Sequence, residues 1–124
     1  MKYYIDTCVW IDFVEERTDI DIFAKCVLNE DIVMVSEMLF VELQKNSSGS
    51  KVHMIIDLLR SKALLTNVNV NREQIRESER IAAKRNVPRA DALHAILTRD
   101  NDAVFVTRDK HFLMLRDLCT VLFL

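Results

Sequence analysis

The stretch Lys2-Tyr3-Tyr4-Ile5-Asp6-Thr7-Cys8-Val9-Trp10-Ile11-Asp12-Phe13-Val14 decides the fold class. Residues 2–5 form a short β-rich run. From Thr7 onward Val9, Trp10, Phe13 and Val14 recur at helical spacing, so strand gives way to helix at Asp6. The same change of period repeats downstream. Ile32-Val33-Met34-Val35 is short and β-branched enough for a buried strand, and Ser36 is placed to cap a helix through Met38, Leu39, Val41 and Leu43. Residues 64–70 and 121–124 read as further strands. Ala103-Val104-Phe105-Val106 is another, ending at Thr107-Arg108-Asp109. Helices are expected over 19–29, 52–59, 71–85 and 89–99, with a helical turn at Phe112, Leu113 and Leu115. Residues 46–50, which hold the only glycine, are expected to be a loop. Strands alternating with helices along the whole chain predict an α/β fold with a mainly parallel sheet.

Composition agrees. The chain has 124 residues, 50% of them hydrophobic and 29% charged, with 1 Gly and 1 Pro. That is one domain's worth, residues 1–124, with no internal repeat or boundary. At this length roughly two-thirds of the unfolded chain's surface is buried on folding, enough for a core without disulfides or metal. Low-complexity and disordered classes are excluded. No apolar run exceeds four residues, so no membrane span is expected. The 3 cysteines, Cys8, Cys26 and Cys119, form no C-x-x-C pair. The expectation is a reduced, cytoplasmic protein.

The net charge of −2 is unevenly spread. Residues 1–45 hold ten acids against four bases, and the remainder nine acids against thirteen bases. This falls short of the basic excess of a protein that grips DNA through many phosphates, yet it permits a transient nucleic-acid substrate on one side.

Asp6 and Asp109 lie just beyond strand ends. In open parallel sheets the functional crevice lies outside the carboxyl ends of the strands. Glu42 and Asp91 sit in helices among apolar neighbours, Asp91 in a first turn where the helix dipole favours an acid. Each has an ordinary alternative: Asp6 as a helix cap, Asp91 as a dipole partner, Glu42 as a solvated helix residue, Asp109 as a turn former. Together they are harder to dismiss. Two carboxylates about 5 Å apart repel by about 3 kcal/mol at an effective dielectric near 20. A cluster of four demands shifted pKa values or a cation, and hard oxygen donors select Mg²⁺ or Mn²⁺.

Four stretches in register resemble a PIN-domain protein, and within that group a VapC-type toxin ribonuclease. They are Tyr4-Ile5-Asp6-Thr7-Cys8-Val9-Trp10-Ile11-Asp12, Val35-Ser36-Glu37-Met38-Leu39-Phe40-Val41-Glu42-Leu43, Arg89-Ala90-Asp91-Ala92-Leu93-His94-Ala95, and Val104-Phe105-Val106-Thr107-Arg108-Asp109-Lys110-His111-Phe112. The resemblance implies a three-layer α/β/α fold with a five-stranded sheet. It implies Asp6, Glu42, Asp91 and Asp109 around Mg²⁺ or Mn²⁺, with Thr107 assisting the acidic pocket. It further implies single-stranded RNA cleavage, a homodimer, and a small VapB-type antitoxin docked in an apolar groove among the early helices. Three positions depart from the pattern. His111 stands where many relatives carry another acid, Cys8 where Asn or Ser is commoner, and Asn101-Asp102 takes a turn that often holds glycine.

Other constellations were weighed. Cys8 with His94 as a thiol pair lacks anything that fixes a base beside the thiol. His53, His94 and His111 lack zinc-ligand spacing, and no second acid accompanies Asp6 as a phosphoacceptor receiver domain would need. Arg72, Arg76, Arg80 and Lys84 form a basic stripe with Glu73 and Glu77 beside it, a solvated face by default. Arg85, Arg89, Arg108 and Lys110 flank Asp91 and Asp109 and are the better candidates for RNA phosphates. Trp10 is expected in the core or an interface. Two alternatives to the toxin remain open from sequence: a PIN nuclease in RNA processing without an antitoxin, and a non-catalytic module on the same fold.

Overall fold

The computed structural model describes residues 1–17, 21–46 and 49–124. The chain runs β1 (Lys2–Ile5), α1 (Thr7–Val14), α2 (Ile22–Asn29), β2 (Ile32–Ser36), α3 (Glu37–Asn46), α4 (Gly49–Ser61) and β3 (Leu65–Val68). It continues through α5 (Arg72–Arg85), α6 (Arg89–Asp100), β4 (Val104–Thr107), a 3₁₀ helix (Lys110–Leu115) and β5 (Thr120–Phe123). The expected elements are all present, with shifted ends. The helix expected over 19–29 starts at Ile22, with Asp21 as its N-cap, and positions 19 and 20 lie outside the described residues. The loop expected over 46–50 shrinks: α3 holds to Asn46 and α4 starts at Gly49. Weak local loop signals give way there to helices packed against α1 and each other.

The sheet order is β3-β2-β1-β4-β5, and all four pairings are parallel. Tyr4 pairs with Met34 on one side and Phe105 on the other. Parallel strands need crossover helices, and such connections are right-handed. The chain steps outward from β1 to β3 and then returns across β1 to β4 and β5. The reversal places α1–α4 on one face and α5, α6 and the 3₁₀ helix on the other. Contacts agree: α1, α3 and α4 pack together, as do α5 with α6 and α6 with the 3₁₀ helix.

With both faces covered, consecutive strand residues are buried: Tyr4 and Ile5, Val33 to Val35, Phe105 and Val106. Trp10 is fully buried, its Nε1 donating to the Ile5 carbonyl at 3.0 Å and its ring 4.5 Å from that of Phe23. It is core, as expected. Helix starts are chemically marked. Asp6 caps α1, Asp21 caps α2, and Asn71 with Gln74 forms a capping box on α5. The Ser36 hydroxyl accepts from Leu39 N at 3.2 Å, the cap expected for α3. No helix among the described residues is long and apolar enough to cross a membrane.

Candidate active site

The strand order reverses between β1 and β4, so the crevice of this sheet opens at their carboxyl ends. Asp6 N donates to Val106 O at 2.8 Å, carrying the β1–β4 ladder one step further and fixing Asp6 at the rim. Its Oδ1 accepts from Thr7 N at 2.8 Å, so the capping role is real. Its Oδ2 faces the other way and accepts from Thr107 Oγ1 at 2.7 Å, with Cys8 Sγ at 3.4 Å. Thr107 is fully buried and also accepts from Asp109 N at 3.0 Å. One hydroxyl thereby ties Asp6 to the backbone that carries Asp109. Asp109 Oδ1 in turn accepts from His111 N at 2.9 Å, and His111 Nδ1 stands 3.3 Å from the same oxygen. His111 therefore leans on Asp109 from solvent.

Glu42 reaches the site from α3. Its Oε2 accepts from Thr7 Oγ1 at 2.6 Å, and its Oε1 is 3.1 Å from His94 Nε2. Burial alone would raise its carboxyl, but the hydrogen bonds from His94 and Thr7 outweigh that and hold it below the usual carboxylate range. Asp91, in the first turn of α6, goes the other way. Burial pushes its carboxyl up and the charges of Asp6, Asp109 and Glu42 add to the push, with the His94 imidazole partly opposing them. Asp91 thus feels the other three carboxylates across one rim. The helix dipole at Asp91 does not win against burial and three like charges.

Among the described residues no three His, Cys, Asp or Glu side chains stand close enough to enclose one ion. The acids share a rim without forming a cage. That arrangement fits Mg²⁺ better than an ion enclosed in an all-protein cage, because Mg²⁺ keeps several waters and takes one or two carboxylates plus substrate phosphate oxygens. The all-oxygen donors and their mutual repulsion both suit a hard divalent cation.

Three of the four expected phosphate-binding cations have partners within the chain. Arg85 makes a two-pronged pair with Asp117 at 2.6 and 2.8 Å, which holds it to the end of the 3₁₀ segment. Arg108 Nε pairs with buried Asp12 at 2.6 Å, although its side chain keeps 57% exposure. Arg89 has a long contact to Glu79 at 3.5 Å, and Lys110 is exposed. The basic stripe on α5 is exposed, and Glu77 turns from it to Arg99 on α6.

Several site residues escape the sequence. His94 Nδ1 lies 2.8 Å from Tyr4 OH, which lies 2.6 Å from Ser36 Oγ. Tyr4, Ser36 and His94 are all essentially buried. His94 serves Glu42 and Tyr4, with no contact to Cys8 of the kind a thiol pair requires. The spacing of His94 three residues after Asp91, one turn along a shared helix face, was the available signal. Cys8 belongs to the site floor; burial foremost, and then the Asp6 charge, pushes its thiol up, against reactivity.

The PIN domain family model matches residues 3–118. The chain belongs to the PIN domain family. Solved structures carry the same fold. A chain of VapBC2 from Rickettsia felis, bound to a DNA fragment from their promoter, superposes with TM-score 0.72 at 15% identity, covering 98% of each chain. A chain of a toxin-antitoxin complex from Klebsiella pneumoniae gives 0.61 at 17% identity, covering 89% of each. PAE2754 from Pyrobaculum aerophilum gives 0.59 at 13% identity, covering 96% of this chain and 85% of that one. At these identities the likeness is one of fold. No curated protein matches the sequence. The PIN assignment accounts for the sheet order and for acids at the ends of β1 and β4. All five strands are parallel, which sharpens the expected mainly parallel sheet.

Proposed function

We propose that this PIN domain is a Mg²⁺- or Mn²⁺-dependent endoribonuclease acting on single-stranded RNA, and the toxin of a VapBC-type pair. The observation that carries the reading is Asp91, whose carboxyl is pushed up by burial and by the charges of Asp6, Asp109 and Glu42 near the switch point of a parallel sheet. Asp6, Asp91, Asp109 and Glu42 would hold the cation between them, one or two directly and the others through its waters. When bound, the ion supplies charge stabilisation at the phosphodiester and an acidified water. The chain's own groups do the rest. Thr107 holds Asp6 and the Asp109 backbone in register, Thr7 and His94 orient Glu42, and Arg89 and Lys110, with Arg108 at the rim, steer phosphates.

An antitoxin partner is supported by an open apolar groove of about 380 Å³ between α1, α2 and α4, with Phe13, Phe23, Val27, Leu28, Ile55 and Leu58 in its walls. Leu28 and Leu58 are exposed, so a docking apolar segment would bury surface that water now covers. A homodimer belongs to the same proposal.

The test is cleavage of mixed single-stranded RNA by wild type and Asp6→Asn with Mg²⁺, Mn²⁺ or EDTA. Metal-dependent cleavage that disappears in the variant supports the reading. Cleavage by Asp6→Asn at the wild-type rate would sink it. If neither protein cleaves and calorimetry finds no divalent binding, the non-catalytic module becomes the better description.

A further inference from the structure

Beyond the carboxyl ends of β2 and β3 lies an open recess of about 500 Å³, lined by Glu37, Phe40, Asn67, Val68, Asn69 and Val70. It shares its edge of the sheet with the acids. Tyr4 pairs with Met34 and Ser36 with Val68, so the same register two residues on sets Asp6 level with Ser36 and Val68. Neighbouring strands lie about 4.8 Å apart, which puts Val68 about 10 Å from Asp6 along that edge. Helix α3 joins the two places, with Glu37 and Phe40 at the recess and Glu42 at the acid rim.

The recess has an apolar floor and a polar rim, the make-up of a small-ligand site. Phe40, Val68 and Val70 are partly buried and packed on the core, so the floor is held in place. Glu37, Asn67 and Asn69 are exposed. Among the described residues their side chains make no hydrogen bond or ion pair within the chain. Asparagine is disfavoured in strands, so propensity does not account for Asn67. An apolar peptide seated here would strip water from a carboxylate and two amides without replacing their hydrogen bonds. A flat ligand with polar edges replaces them.

Single-stranded RNA offers such a ligand, because its unpaired bases stack on aromatic rings and are read along their edges. Phe40 supplies the ring. Each asparagine amide both donates and accepts, whereas the two oxygens of the Glu37 carboxylate accept only. Guanine presents two adjacent donors, N1–H and N2–H, which match two carboxylate oxygens, and its O6 and N7 are left as acceptors for amide N–H groups. Uracil flanks its single N–H with two carbonyls, and adenine and cytosine set a ring acceptor beside the amino group. These three bases bring an acceptor against the carboxylate.

We propose that this recess is a specificity subsite for one unpaired guanine of the RNA. The base stacks on Phe40, donates N1–H and N2–H to Glu37, and is met on its O6 and N7 side by Asn67 and Asn69. It lies within a few nucleotides of the bond cleaved at the acid rim. Its place on the RNA rests on the nuclease reading; its affinity for the base does not.

Two measurements decide it. Wild-type protein in EDTA is titrated to millimolar concentrations with the monophosphates of guanosine, inosine and uridine and followed by ¹H–¹⁵N NMR. Inosine lacks the N2 amino group. The side-chain amide signals of Asn67 and Asn69, assigned by their loss in Asn67→Ala and Asn69→Ala, should shift with the guanosine nucleotide. Inosine should bind about tenfold more weakly, and Glu37→Gln should abolish that difference. Amide signals that do not move, or that respond equally to all three nucleotides, overturn the guanine site. The ends produced by cleavage of random-sequence RNA are then sequenced for wild type and Glu37→Gln. Guanine should be enriched at a fixed offset from the cleaved bond and the enrichment lost in the variant. No enrichment, or the same enrichment in both, overturns the role in substrate choice. Wild-type protein that does not cleave overturns the nuclease reading and that role together, while base binding is still decided by NMR.

Discussion

Thr107 Oγ1 donates to Asp6 Oδ2 at 2.7 Å while accepting from Asp109 N at 3.0 Å, so a single buried hydroxyl spans the reversal point of the sheet. The two acids at the ends of β1 and β4 are set relative to one another by that oxygen, and both lose a fixed reference without it. Thr107→Val keeps the shape and removes both bonds. It should cost about 1–3 kcal/mol, since it leaves a backbone donor unpaired beside a buried acid. Cleavage should fall about 10- to 100-fold. Thr107→Ser should stay close to wild type in both. A valine variant with an unchanged denaturation midpoint and unchanged cleavage would show that the hydroxyl organises nothing.

Burial and three neighbouring carboxylates push the Asp91 carboxyl up. Asp91→Asn should therefore melt at the same temperature as wild type or higher in EDTA, because it removes a charge that opposes folding. Divalent cation should reverse the order. Binding to the native state alone stabilises by about 2.7 kcal/mol at one hundred times the dissociation constant, and the variant should gain much less. Calorimetric melts with EDTA and with Mn²⁺ check both halves. A variant less stable in EDTA would mean that the carboxylate is held by favourable contacts rather than repelled.

The fold was legible because its signals are local. Four-residue apolar runs such as Ile32 to Val35, and the Ser36 cap, carry their meaning within a few positions. The acids were legible because strand ends can be located and acids there are chemically costly. The His94 contacts were not, since Tyr4, Ser36 and His94 meet only after β1 pairs with β2 and α6 crosses the sheet. The partners of the basic residues were hidden for the same reason. Nothing near Arg85 in sequence announces Asp117, and nothing near Arg108 announces Asp12. Pairing across the fold gives these cations structural partners that no local pattern announces.

The Glu77–Arg99 pair predicts the acid limb of stability. Arg99 donates twice to Glu77 at 2.7 Å, bridging α5 to α6, and this hydrogen bonding lowers the Glu77 carboxyl. A carboxyl lowered in the native state contributes stability that is present above its unfolded value and is lost as pH falls through the native one. Glu77→Gln should accordingly lower the melting temperature at pH 7 and make little difference near pH 3. The pair is partly exposed, so screening by salt should shrink the effect at pH 7. A difference between variant and wild type that does not change with pH would mean that packing, not charge, joins these helices.

Ala63 offers a backbone test. It sits at φ 57°, in the left-handed region that favours glycine. Ala63 N bonds Arg60 O at 3.0 Å and Leu64 N bonds Leu59 O at 2.9 Å, the paired bonds of a Schellman ending on α4. Left-handed backbone costs a residue with a Cβ about 1–2 kcal/mol. Glycine there gives up about 0.5–1 kcal/mol of unfolded-state entropy. Ala63→Gly should therefore stabilise by about 0.5–1 kcal/mol on balance, read as a higher urea midpoint at unchanged m-value. The position is exposed and remote from the acids, so metal binding should not move. Destabilisation by glycine would mean that the Ala63 methyl group has packing worth more than the relief of its backbone.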